Sequence, residues 1–114
     1  MLHYQRIIER KLNTLFPLAS DRLSATAMLL QYGNSASENE PERVRLAILK
    51  LAGSDLLELK RMVEGAKEDY RDIIAWAEYP RQIRMQIGNR KLNDIEKMKI
   101  EKEDLSEYDS WTRN

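Results

Sequence analysis

Apolar residues along this chain recur every three to four positions, and no alternating strand-like run survives more than a few residues. Tyr4, Ile8, Leu12, Leu15 and Phe16 share one stripe, which predicts a helix over about residues 2–16 that Pro17 ends. A second helix is predicted over residues 21–32. Ser20 or Asp21 would cap it and Gly33 would close it, with Leu23, Ala27 and Leu30 on one face and Met28 and Leu29 beside them. The polar run "NSASENE" (34–40) has no apolar anchor and reads as a mobile link.

Pro41 then suits the first turn of a third helix, because its missing N–H has no partner there anyway. Val44, Leu46, Ala47, Ile48, Leu49, Leu51 and Ala52 cover most of that helix's circumference, which places residues 41–52 at the centre of a bundle. Gly53 ends it, and Ser54 is expected to cap a fourth helix over 55–67, with Leu56, Leu59, Val63 and Ala66 buried. From there two readings compete. Either one long helix continues to Tyr79, or Asp69 caps a fifth helix with Asp72 three positions on; the capping pattern favours the break. Tyr70, Ile73, Ile74 and Ala77 form its stripe, and Pro80 ends the segment.

Beyond Pro80 the composition shifts. "RQIRMQIGNRK" is basic and weakly apolar. The following stretch alternates charge around a thin stripe of Leu92, Ile95, Met98 and Leu105, which marks a solvated helix or one that lies on a partner. The expected fold is therefore all-α: a four- or five-helix bundle over residues 1–80, with 81–114 as a charged C-terminal helix or extended tail. That tail would belong to the same domain or serve as a dimerisation arm.

Composition narrows the function classes. The 114 residues fit one domain. Lys plus Arg and Asp plus Glu number 19 each, so the basic excess typical of a phosphate binder is missing and self-repulsion between copies is low. With no cysteine, disulfides, thiolate metal sites and cysteine nucleophiles are excluded, and a reducing cytoplasm suits the chain. No apolar run approaches a membrane span, and the charged opening "MLHYQRIIERKLN" argues against secretion.

The candidate chemistry is sparse. On an unbroken helix Glu64, Glu68 and Asp72 would line up at i, i+4, i+8. A carboxylate metal site on bundle helices also needs Glu-x-x-His partners, however, and His3 is the only histidine. A carboxylate-based enzyme would need a hollow that gathers at least two of Glu64, Glu68, Asp72 and Glu78. His3 has no nucleophile near it in sequence, and there is no Gly-rich phosphate loop. These features predict no catalytic residue, cofactor or metal. Arg81, Arg84, Arg90 and Lys91 are candidate phosphate contacts, without interleaved aromatics and balanced by acids from Asp94 on. Trp76 and Tyr79 are displaced from the stripe of their helix, and Leu105, Tyr108 and Trp111 recur at spacing three. Displaced aromatics such as Trp76 and Tyr79 pack a core or its edge, or else anchor an interface, and the 105–111 stripe is either a solvent-exposed tail or a short anchor; in the interface reading these five residues are the candidates.

The run "RVRLAILKLAGSDLLELKRMVEGAKEDYRDIIAWAEYP", Arg43 to Pro80, resembles a family of small bacterial proteins without assigned activity, whose shared centre looks like "LAILKL..GD...L...V..A..DYRD...WAEYP". Ser54 departs from that pattern at the turn. The resemblance covers about a third of the chain and implies a bacterial, cytosolic, helical protein, with no site residues to carry over. The expected role is a non-enzymatic interaction or regulatory module, homodimeric through the 76–111 region. Nucleic-acid association through 81–91 is the alternative.

Overall fold

The computed structural model describes residues 3–88 and 91–114. Among them lie seven helices and no strand: α1 (Tyr4–Leu15), α2 (Ala19–Leu29), α3 (Pro41–Ala52), α4 (Leu56–Glu68), α5 (Tyr70–Glu78), α6 (Pro80–Ile87) and α7 (Asp94–Arg113). The all-α class holds, and the count of four or five is corrected to seven. Beyond α1–α5, α7 is the charged C-terminal helix expected within 81–114, and the unforeseen helix, α6, comes from Pro80. A proline stops a helix that precedes it, but it also starts one, and here it occupies the first position of α6. The basic, weakly apolar stretch that follows Pro80 is thus helical through Ile87.

α3 is the centre, packed against α1, α4 and α5. Val44, Leu46, Ala47, Ile48 and Leu49 are all fully buried, and each of the large ones contributes roughly 1.5–3 kcal/mol of apolar burial. Both predicted bounds of α3 hold. Pro41 opens it and Gly53, at φ 60°, closes it. α4 and α5 are separate helices, because the Asp69 side chain accepts from the Arg71 N–H at 3.0 Å and restarts the chain there. The cap of α4 is Asp55 rather than Ser54; its carboxylate accepts from the Leu57 and Glu58 N–H groups at 2.9 and 3.2 Å.

α2 lies against α4 and α1 in a register other than the expected one. It begins at Ala19, and neither Ser20 nor Asp21 caps it. The stripe Leu23–Ala27–Leu30 faces solvent, with Leu23 and Leu30 exposed at 73% and 52%, while Ala25, Leu29 and Tyr32 are buried. α2 carries apolar residues on two faces, and Tyr32 decides between them. Its hydroxyl donates to the Asn39 carbonyl at 2.8 Å, and its own carbonyl accepts the Arg45 fork at 2.9 and 2.7 Å. Burying the ring with its polar groups satisfied outweighs burying Leu23 and Leu30.

The 34–40 segment is anchored, contrary to the expected mobile link. The Glu38 carboxylate accepts from the Gly33 and Asn34 N–H groups at 2.8 and 2.9 Å and pairs with Lys67 of α4 at 3.3 Å. At Gly33, with φ 104°, a Cβ would lie 2.6 Å from Pro41 Cβ and 2.8 Å from Arg45 Nη2, so only glycine fits. Glu40 takes the left-handed conformation at φ 48° to turn the chain into α3.

Candidate interaction surface

The joint between α5 and α6 is a single residue, Tyr79, and neither helix end there supplies its own side-chain cap. Two distant side chains, Lys50 and Asp104, provide partners for the backbone there, and a third, Arg43, braces the Glu78 side chain. Lys50 of α3 donates to the Ala77 carbonyl at 2.5 Å. Arg43 of α3 holds Glu78 in a two-pronged fork, 2.8 Å on each side, which keeps the guanidinium charged well beyond the usual range. Asp104 of α7, only 1% exposed, accepts from the backbone N–H groups of Arg81 and Gln82 at 3.2 Å each and from both of their side chains. The free N–H groups of the α6 first turn are thereby satisfied from another helix.

α7 is held by this cap and by its other end. Tyr108 is buried and stacks on Trp111 with ring centroids 5.9 Å apart. Lys50 lies over the Tyr108 ring at 5.3 Å and Lys11 over the Trp111 ring at 4.3 Å. Lys11 also donates to the Asn114 backbone oxygen at 2.8 Å, and Arg10 to that of Thr112. Cations on the last carbonyls of α7 complement the negative end of its dipole. At the other end, Asn93 caps α7 through the Glu96 N–H at 2.8 Å.

The five candidate interface residues divide. Tyr108, Trp111 and half-buried Tyr79 pack within their own chain, whereas Leu105 is exposed and Trp76 is 39% exposed at the surface of α5. A spacing of three drifts by about 60° per step around a helix, so Leu105 and Trp111 end up on different faces. On the face away from the body, Leu105 (72% exposed) joins Ile95 (79%) and Met98 (68%). The offsets i, i+3 and i+10 follow the seam of a coiled coil. Ile95 and Met98 belong to the thin stripe expected on a solvated or partner-bound helix, though they are not among the five candidate interface residues.

The candidate phosphate contacts also divide. Arg81 lies among Glu107 at 2.6 Å, Asp104 at 3.1 Å and Glu103 at 3.6 Å, and hydrogen bonds to Glu107 and Asp104 hold its charge more firmly than usual. A guanidinium with three carboxylates around it has little left for phosphate. Arg84 and Lys91 are exposed, and Arg90 lies outside the described residues. Of the acids, Glu64, Glu68 and Asp72 are exposed and divided between two helices, and Glu78 is engaged by Arg43. No group of three or more metal-ligating side chains occurs among the described residues. Between α6 and α7 a hollow of about 200 Å³ is lined by Met85, Leu92 and Ile100 among others, and a more open one of about 570 Å³ is lined by charged side chains including Arg81, Lys99, Lys102 and Glu107.

No helix among the described residues is long and apolar enough to cross a membrane. Compared with protein-family models, curated proteins and solved structures, the chain finds no match, so its functional reading rests on its own geometry.

Proposed function

We propose that this chain is a non-enzymatic interaction module that acts as a homodimer, with α7 as its contact surface. The observation that carries this reading is the outward face of α7, where Ile95, Met98 and Leu105 are exposed on a helix whose inner face is already seated. Three large apolar side chains aligned on one helix form a patch that a second apolar surface can cover. Exposed Trp76 offers a further hydrophobic contact, and zero net charge lets two copies approach without repulsion. The resemblance of residues 43–80 to small bacterial helical proteins belongs to the same reading and brings with it a bacterial, cytoplasmic setting.

Light scattering across tens to hundreds of micromolar tests it. A mass that rises toward two chains, and falls back when Met98 and Leu105 are both changed to Ser, is the expected result. A chain that stays monomeric throughout removes the homodimer and leaves a different protein as the occupant of α7.

A further inference from the structure

The charges beside the α7 seam are distributed unevenly. At about 100° per residue, Asp94 and Glu101 fall on one flank of the Ile95–Met98–Leu105 line, and Lys99 and Ser106 fall on the other. All four are exposed. One flank is therefore acidic, and the other is basic to neutral.

Resting on the homodimer reading, we propose that α7 pairs with α7 of a second copy in parallel, as a short two-heptad coiled coil. Ile95 and Lys102 then occupy a positions and Met98 and Leu105 occupy d positions, while Asp94 and Glu101 are g and Lys99 and Ser106 are e. In a parallel pair the g flank of one helix faces the e flank of the other, five residues on. Asp94 thus meets Lys99 of the second copy, and symmetry repeats the contact. An antiparallel pair would instead bring like flanks together, with acids against Asp94 and Glu101 and lysine against Lys99. Lys102 at the central a position weakens the pair but fixes its register. Its stem covers the seam while its ammonium reaches toward Glu101 of the other copy.

The inner face of α7 agrees with this assignment. Asp104 and Tyr108 point into their own chain while Ile95, Met98 and Leu105 stay exposed; the Lys99–Ser106 flank borders an open hollow that Arg81 of α6 also lines. With three apolar side chains per copy the association is weak, in the micromolar range or above.

The chain has no cysteine, which makes single-cysteine variants direct reporters of orientation. In a parallel pair Ile95→Cys and Leu105→Cys each form same-site disulfide dimers under mild oxidation, and a mixture of the two gives little of the cross product. Lys99→Glu, at an exposed position, weakens dimerisation about tenfold with helix content unchanged by circular dichroism. If the native chain dimerises by light scattering but the 95–105 cross product dominates, the helices run antiparallel and the proposal falls while the homodimer stands. A dimer with no disulfide at either position places the interface elsewhere and also overturns it. A monomer removes both.

Discussion

Asp104 and Gln82 are 22 positions apart in sequence, yet the carboxylate of the first receives the backbone N–H of the second at 3.2 Å. A helix start is thereby completed by a residue of another helix, and α6 and α7 become a single cooperative unit. Lys50 serves the end of α5 in the same way.

Asp104→Ala should destabilise the protein by about 2–3 kcal/mol, since it removes a cap and leaves the part-buried Arg81 and Gln82 N–H groups without their partner, while the Arg81 guanidinium keeps Glu107 and Glu103. Urea denaturation checks the magnitude, and amide exchange checks the place. The Arg81 and Gln82 amides should lose protection while those of α3 keep theirs. Equal loss everywhere would mean that the cap does not act locally.

Two backbone positions near α3 should respond in opposite directions. Gly33→Ala forces a Cβ to within 2.6 Å of Pro41 Cβ at φ 104° and should cost about 1–3 kcal/mol. Glu40→Gly relieves a left-handed conformation at φ 48° and gives up only an exposed pair with Arg43 at 3.2 Å, so it should be neutral to stabilising by up to about 1 kcal/mol. Thermal melts of the two variants give the signs directly.

The Tyr108 hydroxyl is buried and has no hydrogen-bond partner among the described residues, and burial raises the ionisation range of the phenol. Tyr108→Phe keeps the ring stacked on Trp111 and removes the unsatisfied group. It should stabilise by up to about 1 kcal/mol. A loss of more than that in a urea melt would show that the hydroxyl has a partner in solution.

Acid should detach the 34–40 segment. The Asn34 and Gly33 N–H groups, aided by Lys67, hold the Glu38 carboxyl below its ordinary range. Asp69, bonded by Arg71, and Glu107, bonded by Arg81, are depressed as well. A carboxyl depressed by folding contributes its full stability above the unfolded value, about pH 4–4.5, and loses it as pH falls through the lower folded value. The melting temperature should therefore hold down to about pH 5 and decline below about pH 4, with a shallower decline for Glu38→Gln. In an NMR titration the Gly33 amide should follow the Glu38 carboxyl to a midpoint below the usual glutamate value; an ordinary midpoint would contradict the anchoring.

The sequence made the centre legible because each cue there is local. Pro41, Gly53 and Asp69 mark their own helix ends, and a helix as apolar as α3 has one place to go. Elsewhere local cues were ambiguous. α2 has two apolar stripes, and the choice between them rests on Tyr32 meeting Asn39 and Arg45 across the loop. Pro80 is as good a start as a stop. The Arg43–Glu78 fork joins residues 35 apart, and no short window contains both. The candidate interface was half legible. The spacing of Leu105, Tyr108 and Trp111 was visible, but the drift that turns Leu105 outward and Trp111 inward becomes apparent only with the inner partners of α7 in place.

On its inner side α7 buries Asp104, Tyr108 and Thr112, whereas α3 buries six residues, all of them apolar. Hydrogen bonds trade with water at small net cost, and apolar burial does not. The terminal arm thus forms the low-stability foldon of the molecule, able to open while the α3-centred cluster stays shut. A second copy that grips only the seated arm would also lend it protection, and association and local unfolding would become two readouts of one equilibrium.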